Sequence, residues 1–491
     1  MTDALAPHDW FMLLNAKFTA VMRPPWSDKR LRPTADMCGG VQRYSRPRNQ
    51  VLDTLWSYRT GDPPLPLVAE EYQDCFRDVL RKARSNYAPM CVNAMLDRME
   101  LQAVSTTADS DTNGDDFAAQ VMEESGFLAV FKELLDYVFS MAEGYGMVVP
   151  GTPVPTIHAI DPRRCIGLPD LQNPVRLRAA LVREWDPILE THRSYLFLPG
   201  KKWTFALEGT QWNPVSTEPE LIEGLDELGG IPIVRFDNAL ELGEYEPHID
   251  LLDRINDVTL QRIIGFWYQA LRQRALVGDE DEDDEDEPGS EPVDFNKLFK
   301  AGPGSLWRIP KDFEIWESQQ ADFSGITNAK RDDVKEFAAV TSTPLHLITP
   351  DAANGSAEGA GLIRESATSK VRDRRARITP RVKLLWRIVF ALSKQDRGPA
   401  LRLHWGPIEF RTLAEKASAS AQSVGTLSLE QRCERIWEMS PEEAEENITQ
   451  LAAEQILLPN APTTPTTPTT PTTQSTPTAP ATAVTTDVGA G

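Results

Sequence analysis

A long apolar pattern over residues 245–277 predicts a helix of about nine turns. Its large apolar side chains recur at helical spacing and leave little of the helix surface polar. They are Ile249, Leu252, Ile255, Val258, Ile263, Phe266, Trp267 and Leu271. A helix that is apolar nearly all round must be buried, either in a core or against copies of itself. We therefore expect this helix to be one rod of a larger assembly.

The pattern after this helix predicts a segment that leaves the helix and then leads back to a second helix beside it. Residues 278–315 read as an acidic loop with a strand-like return, and 325–342 as a second helix that starts near Ser324. Residues 343–358 then form a loop of small side chains. A long basic helix follows to about Arg397, and Pro380 should kink it.

The N-terminal part of the chain predicts an arm followed by helices. Residues 1–40 look loosely held, because Pro24-Pro25 breaks any helix that starts before them. Helical spacing then starts at Val51, returns around Cys91 and Met99, and fills 117–143. We expect the last of these helices to end at Gly144-Tyr145-Gly146, where glycines suit a C-cap.

The apolar period then changes toward two, which predicts short strands over 147–149, 179–183, 194–198 and 203–207. Residues 401–405 also alternate as a strand. Residues 412–457 read as helical, with caps at Ser428 and Ser440. The Pro-Thr repeats from 459 onward have no apolar material to bury, so we expect a disordered tail there. The fold class is therefore α+β and mainly helical.

Length and charge limit the range of functions. A chain of 491 residues is expected to hold two to four structural units. Its net charge of -22 argues against tight wrapping of nucleic acid, but it suits a wall past which DNA slides without sticking. The scattered cysteines suit a reducing compartment, and we expect neither a signal peptide nor a membrane span. The cysteines are at 38, 75, 91, 165 and 433.

The sequence carries no catalytic motif that we can identify. The histidines are scattered at 8, 158, 192, 248, 346 and 404, and no phosphate loop, dinucleotide fingerprint or nucleophile elbow occurs. We therefore expect no enzyme activity, no cofactor and no metal. Residues 279–287 are nine acidic residues in a row, which favours a solvated loop over a metal site.

The basic helix leaves two interpretations open. Between Arg364 and Arg387 there are nine Lys or Arg against the two acids Glu365 and Asp373. Such a helix is either an exposed amphipathic helix or a surface that contacts DNA or an acidic neighbour.

Short motifs in a fixed order add a family resemblance. Residues 55–67 look like "YxxGxxPLP", residues 93–104 like "DRLxVxGF", and residues 228–238 like "LGxxPVVxFxN". In this order the chain resembles portal proteins of tailed double-stranded DNA bacteriophages, of the long-tailed-phage type. Residues 255–274, 299–307 and 338–357 look like the stem, clip and tunnel loop of this family, in the same order. The departures are the missing Gly-Phe after Val104, the acidic run 279–287 inside the implied clip, Pro380 within the long helix and the additional Pro-Thr tail.

The resemblance implies the phage portal fold, with wing, stem, clip and crown regions, assembled as a ring of typically twelve copies. The implied regions are an arm (1–40), wing (41–242 and 359–408), stem (243–277 and 324–342), clip (278–323), tunnel loop (343–358), crown (409–458) and tail (459–491). The apolar rods would then be buried against one another in the ring.

The resemblance also implies a function. The ring would form the channel at one capsid vertex through which DNA is packaged and later ejected. Implied partners are other copies of the chain, the terminase large subunit, the major capsid and scaffold proteins, a head-completion adaptor and, transiently, double-stranded DNA. The protein would lie in the virion after assembly in the host cytoplasm.

Site residues follow from the same resemblance. We predict DNA-channel residues in the loop, cations on the second stem helix, and clip residues that contact the terminase or adaptor. They are Asn354, Gly355, Ser356, Ala357 and Glu358; Lys330, Arg331 and Lys335; and Phe299, Gly302, Pro303, Gly304 and Trp307. Two alternatives stay open: a metal-dependent hydrolase or nuclease that uses 279–287 as cation ligands, and a non-viral scaffold.

Overall fold

The computed structural model mixes helices and strands. It describes residues 5–20, 47–66, 77–107, 114–270, 274–277, 314–317, 323–348, 357–395, 397–398, 400–408 and 413–457. The helices are α1 (Pro7–Lys17), α2 (Arg48–Thr60), α3 (Ala88–Leu96), α4 (Asp116–Ser125), α5 (Phe127–Met141), α6 (Ile249–Ala270), α7 (Ser324–Val340), α8 (Leu345–Ile348), α9 (Ala357–Leu392), α10 (Leu413–Gln422), α11 (Leu429–Arg435) and α12 (Pro441–Leu457).

The strands form small antiparallel sheets. They are β1 (Leu101–Thr106), β2 (Glu143–Val149), β3 (Thr156–Ile160), β4 (Cys165–Pro169), β5 (Leu177–Asp186), β6 (Thr191–Leu198), β7 (Lys201–Glu208), β8 (Gln211–Pro214), β9 (Glu220–Leu221), β10 (Ile233–Asp237), β11 (Arg274–Val277), β12 (Glu314–Glu317) and β13 (Leu401–Trp405). The largest sheet runs β4-β5-β6-β7-β8, with β9 on β7, and a second sheet has the order β10-β2-β3. The predicted strands are therefore confirmed, and β1 pairs with β13 from the far end of the chain.

One large apolar core joins most of the helices. The second half of α9 lies at its centre, where Trp386 is fully buried and its ring lies 5.4 Å from that of Phe127. The helix is continuous through Pro380 and ends at Leu392, which confirms a long helix over most of its predicted length, while the kink at Pro380 stays a prediction. None of the described helices is both long and apolar enough to cross a membrane.

The expectation of a loosely held N-terminal arm is wrong for residues 5–20. Helix α1 packs on the largest sheet and buries Trp10, Phe11 and Leu14. The Phe11 ring stacks on that of Phe205 at 4.2 Å, because the apolar face of α1 is complementary to an aromatic patch on the sheet. Residues 21–46 lie outside the described part of the chain.

The single helix predicted over 117–143 is also wrong. It is broken at Gly126, whose φ of 56° caps α4 and starts α5. Helix α5 is then capped by Ala142 at a φ of 72°, so Gly144 and Gly146 lie within strand β2 rather than at a C-cap. A Cβ on Gly144 would lie 2.9 Å from a backbone oxygen of α5, which explains the need for glycine there.

Helix α6 is shorter and more amphipathic than predicted. It ends at Ala270, and residues 274–277 form a strand paired with Glu314–Glu317 instead of further helix. One stripe of the helix is polar and exposed, with Asp250, Arg254, Asp257 and Gln261 at its positions. The opposite face is buried within the same chain, so most of this helix does not depend on other copies for its burial.

The C-terminal helices agree with their predicted caps. Ser428 Oγ accepts a hydrogen bond from the Gln431 N–H at 3.2 Å. Ser440 and Glu443 form a reciprocal capping box, with bonds of 2.8 and 3.2 Å. Residues 413–457 hold the three helices α10, α11 and α12, and the two predicted caps stand at the starts of α11 and α12.

Candidate functional site at the base of a helix pair

Helices α6 and α7 pack against each other and run in opposite directions. Arg254 of α6 pairs with Asp333 at 2.9 Å and also with Glu336. Farther along α6, the ring of Phe266 stacks on that of Phe323 at 4.5 Å. Residue numbers rise along α6 and fall along α7 between these two contacts, so the pair is antiparallel. This is the pair of rods that the sequence predicted, with shorter bounds.

The far end of the pair is held by aromatic packing. A Cβ on Gly265 would lie 2.5 Å from the Cε1 atom of Phe323, so the ring of Phe323 occupies the space that glycine leaves. Phe266 beside it is 52% exposed, which leaves an apolar surface uncovered by the described part of the same chain.

The three predicted cations of α7 differ in their surroundings. Arg331 and Lys335 are exposed, and the Lys335 ammonium lies 3.3 Å from a carboxylate oxygen of Asp332. Lys330 is half-buried, and its Nζ donates to Ser85 Oγ at 3.1 Å. Burial and the nearby Arg262 guanidinium both lower the pKa of the Lys330 ammonium.

Ser85 ties a separate part of the chain to both helices. Its backbone N–H donates to Oδ1 of the buried Asn256 on α6 at 2.7 Å, while its hydroxyl accepts from Lys330 on α7. The helical segment 77–82 precedes it and packs Leu80 against Leu260. Ser85 belongs to no motif, and Asn256 lies in the segment that resembles the family's stem, where nothing in the sequence identifies Ser85 as its partner.

A buried carboxylate lies at the base of the pair, just before α6. The Glu244 side chain is 3% exposed and lies 2.7 Å from Lys370 Nζ and 2.7 Å from Arg374 Nε, both on α9. The amide of Asn238 donates to it at 3.0 Å, and the Glu244 N–H donates to the Phe139 carbonyl at 2.7 Å. Burial alone would raise the pKa of the Glu244 carboxyl, but the Lys370 and Arg374 cations lower it below its usual value.

The end of α7 meets the same group of charges. Lys370 Nζ donates to the carbonyl oxygen of Thr341, the C-cap of α7, at 2.7 Å. The next residue, Ser342, is in the left-handed region with a φ of 54°. The buried hydroxyls of Thr341 and Thr343 lie 2.8 Å apart and close this turn. The segment that leads into α6 and the turn that follows α7 are therefore both bound to one turn of α9.

Sequence reasoning named Lys370 and Arg374 only as two of nine cations on a basic helix. Their spacing of four residues places both on one face, which is the one available signal. Glu244 and Thr341 carry no signal, because their partners come from distant parts of the chain.

Near each of its ends, part of the predicted loop 343–358 is helical. Residues 345–348 form the short helix α8, and α9 begins at Ala357, so Ala357 and Glu358 belong to the backbone of α9 rather than to the loop. Asn354, Gly355 and Ser356 lie outside the described residues. The clip residues and the acidic run also lie outside them; these are Phe299, Gly302, Pro303, Gly304, Trp307 and 279–287.

Within the described ranges, no group of three or more His, Cys, Asp or Glu side chains is arranged to hold a metal ion. His404 lies 2.8 Å from the Ser105 hydroxyl and joins strands β1 and β13. Burial raises the pKa of the Cys91 thiol to about 12, so this cysteine is not a nucleophile near neutral pH. The surroundings of His404 and Cys91 are those of residues that hold the fold together.

Comparison with known proteins adds a family match. The family model described as "Phage portal protein, SPP1 Gp6-like" matches residues 67–456, which is more than half of the 491-residue chain. No protein with a curated description matches the chain.

Solved structures also resemble the chain. The neck of the native GTA particle, computed with C12 symmetry, is 12% identical, with 78% of this chain and 98% of that chain covered and a TM-score of 0.42. The neck of the empty GTA particle, computed with C6 symmetry, is 13% identical, with coverage of 75% and 94% and a TM-score of 0.41. The virion of the native gene transfer agent (GTA) particle is 12% identical, with coverage of 78% and 98% and a TM-score of 0.40. Because these TM-scores are low, the assignment of the chain to a family rests on the family match alone.

Proposed function

The chain belongs to the SPP1 Gp6-like family of phage portal proteins, and we propose that its copies form a closed ring, typically of twelve, at one vertex of the capsid. As a portal protein, it forms the channel through which genomic DNA enters the head and later leaves it. The observation that supports the ring is the antiparallel α6–α7 pair, whose far end leaves Phe266 half-exposed. A heterologous contact repeated around an axis would cover such a surface.

In this proposal the protein is a channel and not an enzyme. The terminase supplies the motor, and its large subunit and the head-completion adaptor dock on residues 278–323, the clip, where Phe299, Gly302, Pro303, Gly304 and Trp307 are the contact residues. Capsid and scaffold proteins surround the ring. The finished protein lies in the virion, after assembly in the host cytoplasm.

The wing and crown keep their implied bounds as part of the proposal, the stem is the α6–α7 pair, and the tunnel loop lies between α7 and α9. Arg331 and Lys335 are exposed and touch passing phosphates, whereas Lys330 must leave Ser85 before it reaches one. The loop residues Asn354, Gly355 and Ser356, with Ala357 and Glu358 at the start of α9, approach the DNA closely. A net charge of -22 keeps the binding of DNA weak enough for movement.

Negative-stain electron microscopy of the purified protein, together with its mass from light scattering, tests the ring. We expect rings with an open centre and a mass near twelve subunits. Because some rings form only on a template, the same measurement is made after co-expression with the capsid and scaffold proteins. A monomer under both conditions would contradict the proposal.

The DNA contacts are tested in the same particles. Replacing Arg331 and Lys335 together by Glu should reduce the DNA packaged and retained per particle, because like charge then faces the phosphates. Lys383→Glu on α9 is the matched control and should package normally. Equal packaging by the double variant and the control would remove these cations from the proposal.

A further inference from the structure

Lys370 makes two bonds that differ in what they contribute. One goes to the Glu244 carboxylate and the other to the Thr341 carbonyl, both at 2.7 Å. Its side chain is only 15% exposed, so water competes weakly for the ammonium. The residue therefore joins α9 to the segment before α6 and to the C-cap of α7.

The Glu244 carboxylate has hydrogen-bond donors that do not depend on Lys370. Arg374 binds both of its oxygens, with Nε at 2.7 Å and Nη2 at 3.4 Å, and the Asn238 amide adds a third donor. Arg374 also pairs with Asp373 at 2.7 Å, but its two-pronged contact keeps the Glu244 carboxylate hydrogen-bonded when Lys370 is removed. What Lys370 alone supplies is the bond to Thr341.

The Thr341 carbonyl is at the point where the chain leaves α7. The last carbonyls of a helix have no partner within the helix, and a cation at that end is favoured by the helix dipole. The bond also fixes the peptide that precedes Ser342, whose φ of 54° is costly for a residue with a side chain. The direction of the chain after residue 342 depends on this turn.

We propose that Lys370 is a positioning residue: by binding the Thr341 carbonyl it sets the direction in which the chain leaves α7 toward the segment between α7 and α9, the proposed DNA-facing loop. The inference rests on the proposed function for the role of that loop in the channel. The bond itself is independent of it. Loss of Lys370 frees the turn at Thr341–Thr343 while the Arg374–Glu244 pair keeps α9 and the base of α6 together.

Hydrogen exchange of the intact protein tests the bond. In Lys370→Met we expect the Ser342 and Thr343 amides, which donate to the carbonyls of Ala339 and Ala338, to exchange at least about tenfold faster. The Glu244 amide and the amides of the largest sheet should keep their rates. Lys370→Arg keeps a charged donor and should restore slow exchange, and Lys383→Met on the same helix should change nothing.

The same variants are then assembled into particles, and the packaged DNA is measured. We expect Lys370→Met to retain less DNA than wild type and Lys370→Arg to recover most of the loss. Unchanged exchange at Ser342 and Thr343, or a uniform rise across the protein, would overturn the inference. If wild-type particles package no DNA, the proposed function fails, while the exchange data still decide the role of Lys370.

Discussion

At the base of the α6–α7 pair, the Glu244 carboxylate lies buried among Lys370, Arg374 and Asn238. At the far end, the Phe323 ring rests on Gly265 beside a half-exposed Phe266. The first region is polar, enclosed and connected to several elements of the same chain. The second region is apolar, is formed by the stacked rings of Phe266 and Phe323, and is open on one side within the described part of the chain.

This difference shows which part of the pair one chain completes by itself. Buried charges must find all their partners at once, so the base is fixed as soon as the chain folds. An aromatic surface left half-exposed is stable enough in a monomer, and it gains when a second surface covers it. The base therefore suits a fixed support, and the far end suits a contact that forms during assembly.

Replacing Glu244 by Ala should have the largest effect. It leaves the buried Lys370 ammonium without a counter-charge and leaves Arg374 paired only with the half-exposed Asp373, so we expect the free energy of unfolding to fall by about 3–5 kcal/mol. Denaturant unfolding followed by circular dichroism measures it. The control is Glu241→Ala, because that side chain is 48% exposed and lies 3.5 Å from Arg235. A loss of the same small size in both variants would show that the base is not held by charge.

A change at the far end of the pair should have a smaller effect on the free energy of unfolding, and the sign of this effect should depend on the side chain at position 323. Gly265→Ala places a Cβ against the Phe323 ring, and we expect a net loss of about 1 kcal/mol in the free energy of unfolding. In a Phe323→Ala background the clash is gone, and the same substitution should stabilise the protein by about 0.5–1 kcal/mol through helix propensity. A double-mutant cycle measures the reversal. The same sign in both backgrounds would show that the Phe323 ring does not occupy the space beside Gly265.

The middle of the pair should be the least sensitive. The Arg254 side chain is 50% exposed, so its pairs with Asp333 and Glu336 should contribute no more than about 1 kcal/mol. Arg254→Ala should lower the free energy of unfolding slightly at low salt, and the difference from wild type should shrink as salt screens the charges. A large effect that does not change with salt would contradict this ranking of the three regions.

Local features of the fold could be predicted from sequence. The caps at Ser428 and Ser440 each depend on contacts three residues apart, and both are formed. The strands of the largest sheet could also be predicted, because their apolar residues alternate with polar ones over a few neighbouring positions. The prediction failed at 274–277, where the apolar run suits helix and strand equally and pairing with Glu314–Glu317 decides.

The base of the helix pair could not be predicted. Glu244 is one acid among the 73 acidic residues of the chain, and nothing near it in sequence shows that α9 will supply its partners. The family resemblance gave the order of the elements and the stem cations. It did not distinguish the half-buried Lys330 from the exposed Arg331 and Lys335, because exposure is set by the packing of residues 77–87.

The junction between α1 and α2 has a consequence for how this protein can change in length. The Ala20 carbonyl accepts from the Arg48 N–H at 2.8 Å, and the Phe18 carbonyl accepts from the Asn49 N–H at 3.1 Å. The two ends of the connection between α1 and α2 therefore lie side by side. Loop-closure entropy changes slowly with length, so the entropy of closing this connection would change little if its length changed.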